Sequence, residues 1–249
     1  MPGISEIAPD VYRIGVYVPE IDLEFCHFLV RDDEPLLFHT GLRAMFPELR
    51  EQVSRLLDPA GIRWIGFSHF ESDECGALNQ WLAAAPGAEP VCGLIGAVVN
   101  INDFADCAAR ILPPDQSIET GKRRFRFIPT PHVPHGWDAG VLFEETQRIL
   151  FCSDLMHQWG KREPLSRADL TERAREALAQ SEAGPFANYV PYTAETGRIL
   201  ERLASLEPRT LAVMHGSSFE GDGANAMRGL ARVMREVLES KSASALTAG

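Results

Sequence analysis

Apolar and polar residues alternate at the start of the chain and then change to helical spacing. Alternation with β-branched and aromatic residues predicts short strands near 11–18, 24–30 and 36–39, with the turn RDDEP before the third. From about 44 to 57 the apolar positions recur every three or four residues, which predicts a helix, and the run at 62–68 predicts another strand. The chain therefore opens as a β-meander followed by a strand–helix–strand unit.

The remainder of the chain repeats this order of strands and helices. Further helices are predicted near 74–84, 94–100, 166–180, 192–205 and 222–239, and further strands near 124–129, 139–143, 148–152 and 209–214. Two halves that are each rich in strands and then helical predict an α/β fold, an αββα sandwich of two sheets flanked by helices. We expect one domain over residues 1–240, since no long polar linker interrupts it, and a disordered tail at 241–249.

Composition narrows the classes of partner. A chain of 249 residues with 45% hydrophobic content can bury a large core, and a formal charge of −11 disfavours nucleic acid and anionic membranes. Five cysteines without CxxC spacing indicate reduced thiols, and neither a signal peptide nor an apolar run of about 18 residues is present. We expect a cytoplasmic protein that acts on small molecules or other proteins.

Potential metal ligands stand where predicted strands end. His69 follows the run IGFS, Asp154 follows ILFCS, and His215 follows LAVM. His132 and His135 follow the strand RFRFIPT. One histidine at a strand end is usually structural, but loops beyond strand ends carry many active sites, and the repeated coincidence favours a metal site.

The segment HFESDE concentrates this chemistry. In an extended segment the side chains of His69, Glu71 and Asp73 project to one side and can converge on one cavity. Imidazole and carboxylate groups bind borderline and hard divalent metals, and three ligands in five residues exceed what one ion needs from one loop. Two ions are therefore implied. Glu74 is either an extra ligand or an acidic residue at the start of the next helix.

The combined motifs resemble the metallo-β-lactamase superfamily. They are HxExD at 69–73, TPHVPHGWD at 130–138, SD at 153–154 and MHGSSF at 214–219, in family order between about residues 8 and 240. Hydrolases of that superfamily carry HxHxDH, and glutamate in the second position resembles the diiron branch of flavodiiron proteins and stand-alone oxygen-binding diiron proteins. The segment FANYVP at 186–191 is also similar to the flavodiiron catalytic domain. The resemblance implies a four-layer fold with two central mixed β-sheets.

The resemblance also implies a ligand set. One iron would be held by His69, Glu71 and His135, and the other by Asp73 and His215, with Asp154 bridging both. His135 is preferred to His132 because HGWD is similar to the family's HWPD, which leaves His132 near the ligands or in the pocket wall.

Two positions depart from the family pattern. Glu74 stands where flavodiiron proteins usually have histidine, so it either adds a ligand or leaves an open position. His39 begins the sequence HTG at 39–41, where the superfamily usually has the turn DTG. It either reaches the edge of the site or has a structural role. Side chains that could line the pocket are His157, Trp159, Tyr189 and Tyr192.

Two functions follow from this site. The first is a non-haem diiron protein that binds dioxygen and either reduces it with electrons from a separate donor or reports it to a signalling protein. No FMN is expected in this chain, and a homodimer is implied by resemblance. The alternative is a dinuclear zinc hydrolase of an ester, thioester, lactone or phosphodiester, with zinc generating hydroxide. Extra carboxylate ligation favours iron, because hard anionic oxygen stabilises a metal's higher oxidation state.

Overall fold

The computed structural model describes residues 3–114 and 116–239, so the tail expected at 241–249 lies outside the described residues. The first half of the chain forms a seven-stranded sheet in chain order, β1 to β7. Its strands are β1 Gly3–Ala8, β2 Val11–Val18, β3 Leu23–Val30, β4 Leu36–Phe38, β5 Trp64–Gly66, β6 Glu89–Cys92 and β7 Arg110–Ile111. Strands β1 to β4 are antiparallel, and β4 to β7 are parallel.

The second half forms another seven-stranded sheet, in the order β12-β14-β13-β11-β10-β9-β8. Its strands are β8 Ser117–Glu119, β9 Arg124–Pro129, β10 Gly140–Glu144, β11 Ile149–Phe151, β12 Leu165–Ser166, β13 Thr210–Ala212 and β14 Ser218–Glu220. Strands β11 and β13 pair in parallel, so both end at the same edge of the sheet. That edge carries two of the candidate ligand loops.

Helices cover the outer face of each sheet. Those of the first half are α1 Phe46–Ser54, α2 Ser72–Cys75, α3 Leu78–Ala84, α4 Leu94–Gly96 and α5 Asn102–Phe104, with a π-helical turn, Ala97–Ile101, between the last two. Those of the second half are α6 Thr171–Ala183, α7 Thr196–Ala204 and α8 Gly223–Met234, which runs into a π-helical turn, Arg235–Glu239. Among the described residues, no helix has both the length and the apolar composition needed to cross a membrane.

Three buried clusters hold the layers together. One lies between the two sheets and includes Phe28 and Phe38 of the first sheet and Phe151 of the second. The ring centroid of Phe151 is 5.6 Å from that of Phe28 and 5.3 Å from that of Phe38. The other two lie between each sheet and its own helices. Burial of these apolar faces is the main favourable contribution to such a fold. The predicted αββα sandwich of two mixed sheets is confirmed.

Several predicted element boundaries were wrong. Residues 165–166 pair with β14 as a short strand, so the helix predicted from 166 begins at Thr171. The helix predicted over 74–84 is interrupted between α2 and α3. Six strands escaped prediction. β7, β8, β12 and β14 have only two or three residues and carry no readable alternation, and the longer β1 and β6 were missed as well. The assignment of residues 1–240 to a single domain stays a prediction.

Candidate metal centre

The candidate ligands lie just beyond the ends of four strands, all in loops except Asp73, which belongs to the short helix α2. His69, Glu71 and Asp73 follow β5, His135 lies between β9 and β10, and Asp154 follows β11. His215 follows β13. The backbone turns sharply beside three of them, with positive φ at Ser153 (55°), Gly136 (81°) and Gly216 (105°). At Gly216 a Cβ would lie 2.6 Å from the Cβ of Gln158, so both the turn and the close packing require glycine.

A first group of four side chains converges within 4.8 Å of one another: His69, Glu71, His135 and Asp154. The Nε2 atom of His69 is 2.9 Å from Glu71 Oε2, and the Nε2 atom of His135 is 2.9 Å from Asp154 Oδ2. The two imidazole rings are nearly perpendicular, with centroids 4.4 Å apart. Two nitrogens and two carboxylates can hold one divalent ion here.

A second group lies on the other side of Asp154. The Nε2 atom of His215 is 3.3 Å from Asp73 Oδ2 and also 3.3 Å from Asp154 Oδ1. Asp154 therefore turns Oδ2 to the first group and Oδ1 to the second. A carboxylate placed in this way can bridge two metal ions.

Hydrogen bonds on the far side of two imidazoles orient them toward the centre. His215 Nδ1 is 3.0 Å from the carbonyl oxygen of Glu24, so it donates there and leaves Nε2 free as a ligand atom. His69 Nδ1 lies 3.3 Å from both Glu74 Oε1 and Ser153 Oγ. Such partners fix the tautomer and the ring orientation of metal-binding histidines.

Glu74 lies on the Nδ1 side of the His69 ring, opposite the other candidate ligands. It is fully buried, and its Oε2 accepts hydrogen bonds from the backbone N–H groups of Ser68 and His69 at 2.9 and 2.8 Å. Its Oε1 accepts from the hydroxyls of Ser68 and Ser153 at 2.8 and 2.9 Å. Because both oxygens are engaged away from Glu71 and Asp154, this geometry fits a residue that orients His69 and does not support an extra ligand.

The two histidines that the sequence offers as further candidates, His39 and His132, lie in different surroundings. His39 is buried, with its Nε2 2.7 Å from Ser68 Oγ and 3.6 Å from Glu74 Oε1, so it extends the support behind His69. Burial lowers the pKa of His39 to about 3. His132 is exposed and lies outside the cavity lining, so the structure does not bring it to the cluster or into the pocket wall.

The electrostatics of the centre favour positive charge. Burial alone would lower the pKa of His69, but the carboxylates of Glu74, Glu71 and Asp154 raise it to about 10. Burial opposes protonation of His215 in the same way, yet Asp154 and Asp73 raise its pKa well above the usual range. Burial would raise the pKa of Asp154, but the adjacent imidazoles of His135 and His215 hold it well below the usual range. The field that retains these protons would also attract metal cations.

The residues fit a dinuclear metal site. Asp73 Oδ1 and Asp154 Oδ1 are buried without a hydrogen-bond donor, which is costly unless another partner compensates. Three imidazoles and three carboxylates make a donor set suited to iron or zinc, since both metals bind imidazole nitrogen and carboxylate oxygen. Of the thiols near the ligands, Cys75 and Cys152 are buried, and burial raises the pKa of each.

A cavity of about 250 Å³ opens onto this centre. His157, Trp159 and Tyr189 line it, as the sequence predicts, whereas Tyr192 does not and packs against the core beneath α7 and α8. Burial lowers the pKa of His157 to about 3, so this ring is neutral at pH 7.

Several polar contacts of the centre could not be predicted from the sequence. The hydroxyl of Tyr189 donates to Glu71 Oε1 at 2.6 Å, and its ring lies 4.3 Å from that of His135. Tyr189 is 118 residues from Glu71, so no local spacing reveals this bond. Ser68 and Ser153 were also missed as partners of Glu74, although each immediately precedes a candidate ligand in the sequence.

Comparison with known sequences agrees with the geometry. Over 199 residues the chain is 24% identical to the rubredoxin-oxygen oxidoreductase of Megalodesulfovibrio gigas, covering 78% of this chain and 48% of that protein. An uncharacterized protein of Methanocaldococcus jannaschii is 26% identical over 167 residues, or 62% of this chain and 42% of the relative. The chain thus spans just under half the length of these curated relatives.

Solved structures share the fold. The flavodiiron protein of Giardia intestinalis superposes with a TM-score of 0.78 at 18% identity, covering 94% of this chain and 59% of that one. A fragment of a diflavin flavoprotein from Nostoc gives a TM-score of 0.79 at 15% identity, covering 97% and 98%. The family described as ODP family beta lactamase matches residues 23–216. Because this match covers most of the chain, the protein belongs to that family.

Proposed function

We propose that this protein is a non-haem diiron protein that binds dioxygen. The observation that carries the proposal is Asp154, whose Oδ2 lies 2.9 Å from His135 and whose Oδ1 lies 3.3 Å from His215. One iron would be held by His69, Glu71 and His135, and the other by Asp73 and His215. Similarity to a rubredoxin-oxygen oxidoreductase supports iron and oxygen chemistry over hydrolysis.

Two ferrous ions at such a centre supply the open coordination positions and the electrons that dioxygen requires. The chain's own residues prepare the site for them. His215 and His69 are oriented from behind, and Tyr189 holds Glu71 through a hydrogen bond of 2.6 Å. The cavity that opens onto the centre has largely apolar walls.

The proposal has two functional forms. In one, the protein reduces dioxygen with electrons from a separate donor protein. In the other, it reports dioxygen to a signalling partner without turnover. We also propose a cytoplasmic location and, by resemblance, a homodimer.

Oxygen consumption tests the proposal and separates its two forms. Iron-loaded protein is mixed with dioxygen and an excess of a chemical reductant, with Asp154→Ala as the disabled variant and His132→Ala as the matched control. Sustained consumption by the wild type and by His132→Ala, but not by Asp154→Ala, supports the reductase. A single uptake of about one dioxygen per chain supports the sensor. No oxygen uptake by the iron-loaded wild type would contradict both forms.

A further inference from the structure

The cavity beside the metal centre has two unlike ends. One end carries the candidate ligands Glu71, Asp73, His135, Asp154 and His215. The rest is walled by α6, α8 and the segment after Asp154, with side chains that are almost all apolar. These apolar lining residues include Met156, Trp159, Ala174, Leu178, Leu230 and Met234.

The size of the cavity exceeds what a diatomic gas needs. A cavity of about 150 Å³ lined by aliphatic and aromatic side chains is enough to hold benzene. The present cavity measures about 250 Å³, and metal ions would take only the part between the ligands. The remaining apolar space is therefore comparable with that of a benzene-binding cavity, and the whole cavity lies just below the usual size range of pockets for organic ligands.

The polar groups of the lining restrict the ligand further. In the part of the chain that the structure describes, the lining contains no lysine or arginine, so an anionic ligand would find no side-chain counter-charge apart from the centre itself. His157 lines the cavity, and its Nε2 is buried without a hydrogen-bond partner. A buried nitrogen in this state favours a ligand that brings one hydrogen-bonding group.

We infer that this cavity binds an uncharged organic molecule, with one aromatic ring or a chain of roughly six to eight carbons, that hydrogen-bonds to His157. The inference rests on the proposed function for the ions at the polar end of the cavity, and it gives that site an organic ligand in addition to dioxygen. The apolar end is formed by α6 and α8 and does not depend on the metals.

Fluorine NMR of small aromatic probes tests this inference on the full chain, at a measured metal content. The probes are 4-fluorotoluene and 4-fluorobenzyl alcohol, titrated separately. Both should bind saturably, and the alcohol should bind more tightly because its hydroxyl meets His157 Nε2. In His157→Phe the difference between the two probes should disappear. Absence of saturable binding would overturn the inference, and an alcohol no tighter than the toluene would overturn the role of His157.

Variants that fill the cavity provide the specific test. Ala174→Phe places a ring inside the lining and should weaken both probes by at least about tenfold. Ala179→Phe makes the same change on the exposed side of α6 and should leave binding unchanged. Because Ala174 also belongs to a buried cluster, Leu178→Trp provides a second filling variant at a half-buried position. Equal binding by the wild type and a folded filling variant would overturn the inference.

This experiment fails separately from the proposed function. Loss of probe binding in a protein that contains iron and takes up dioxygen would reject the organic ligand and leave the diiron proposal intact. Probe binding that Ala174→Phe weakens, in a protein that takes up no dioxygen, would support the cavity and reject the diiron proposal.

Discussion

Glu74→Gln changes the support behind one candidate ligand with little change of shape. Glu74 is fully buried, and two backbone N–H groups donate to Oε2 while two serine hydroxyls donate to Oε1. Oε1 also lies 3.3 Å from His69 Nδ1. In the variant, the amide oxygen can take the place of Oε2 and keep both backbone hydrogen bonds. The amide nitrogen then replaces Oε1 and faces the imidazole.

The expected magnitudes follow from these contacts. The amide has two N–H groups, one facing His69 Nδ1 and one left for a serine hydroxyl that rotates to accept it. Because the backbone donors stay satisfied and only one hydroxyl loses its partner, the free energy of unfolding should fall by only about 1 kcal/mol. The amide N–H group facing Nδ1 favours the tautomer of His69 that carries its proton on Nε2. Metal binding at Nε2 requires the proton on Nδ1, where it would face the amide N–H group in place of a carboxylate oxygen. Metal affinity should therefore fall about 10- to 100-fold, the usual effect of losing such a partner.

Two measurements on the same samples test this prediction. Urea unfolding of chelator-treated protein gives the stability, and competition with a chromophoric chelator gives the metal affinity. Glu51→Gln, at a position where the side chain is 65% exposed, provides the matched control and should change neither. The reasoning is refuted if Glu74→Gln keeps wild-type affinity. It is equally refuted if the variant loses one whole metal equivalent with no change in the affinity of the other, since that would make Glu74 a ligand.

Three further predictions concern the ligands and their protons. Asp154→Ala should lose more than one metal equivalent, because its two oxygens face two ligand groups, whereas His132→Ala should keep both metals; elemental analysis showing the reverse would contradict the ligand set. Metal uptake at pH 7 should release protons and strengthen as the pH rises toward 10, because the pKa of His69 is raised to about 10 and that of His215 is also raised, so both are protonated in the metal-free protein. Calorimetry in buffers of different ionisation enthalpy measures this release, and uptake without protons would count against it. Tyr189→Phe removes a hydrogen bond to a partly exposed carboxylate and should weaken metal binding about fivefold, while an unchanged affinity in chelator competition would show that this bond is dispensable.

Much of the fold was readable because its longer elements carry clear periodicity. The alternation at 11–18 corresponds to β2, and RFRFIP at 124–129 corresponds to β9. The short strands that complete both sheets were not readable, since their pairing depends on contacts distant in sequence. Leu165–Ser166, for example, is a strand only because it lies beside Ser218–Glu220.

Part of the candidate site could also be predicted from the sequence, and part could not. Strand ends and the spacing of HxExD brought His69, Glu71 and Asp73 into consideration, and the structure brings them together with the other proposed ligands. Sequence could not separate ligand from support at Glu74, because both roles require a carboxylate. That distinction rests on the direction of the side chain, which Ser68 and Ser153 determine from two different loops.

The most direct test of the central claim is the metal content of anaerobically purified protein, with absorption spectra recorded before and after addition of oxygen. We expect about two irons per chain and a new visible absorption band on oxygenation. Two zinc ions per chain and no spectral response to oxygen would contradict this claim and favour a dinuclear hydrolase.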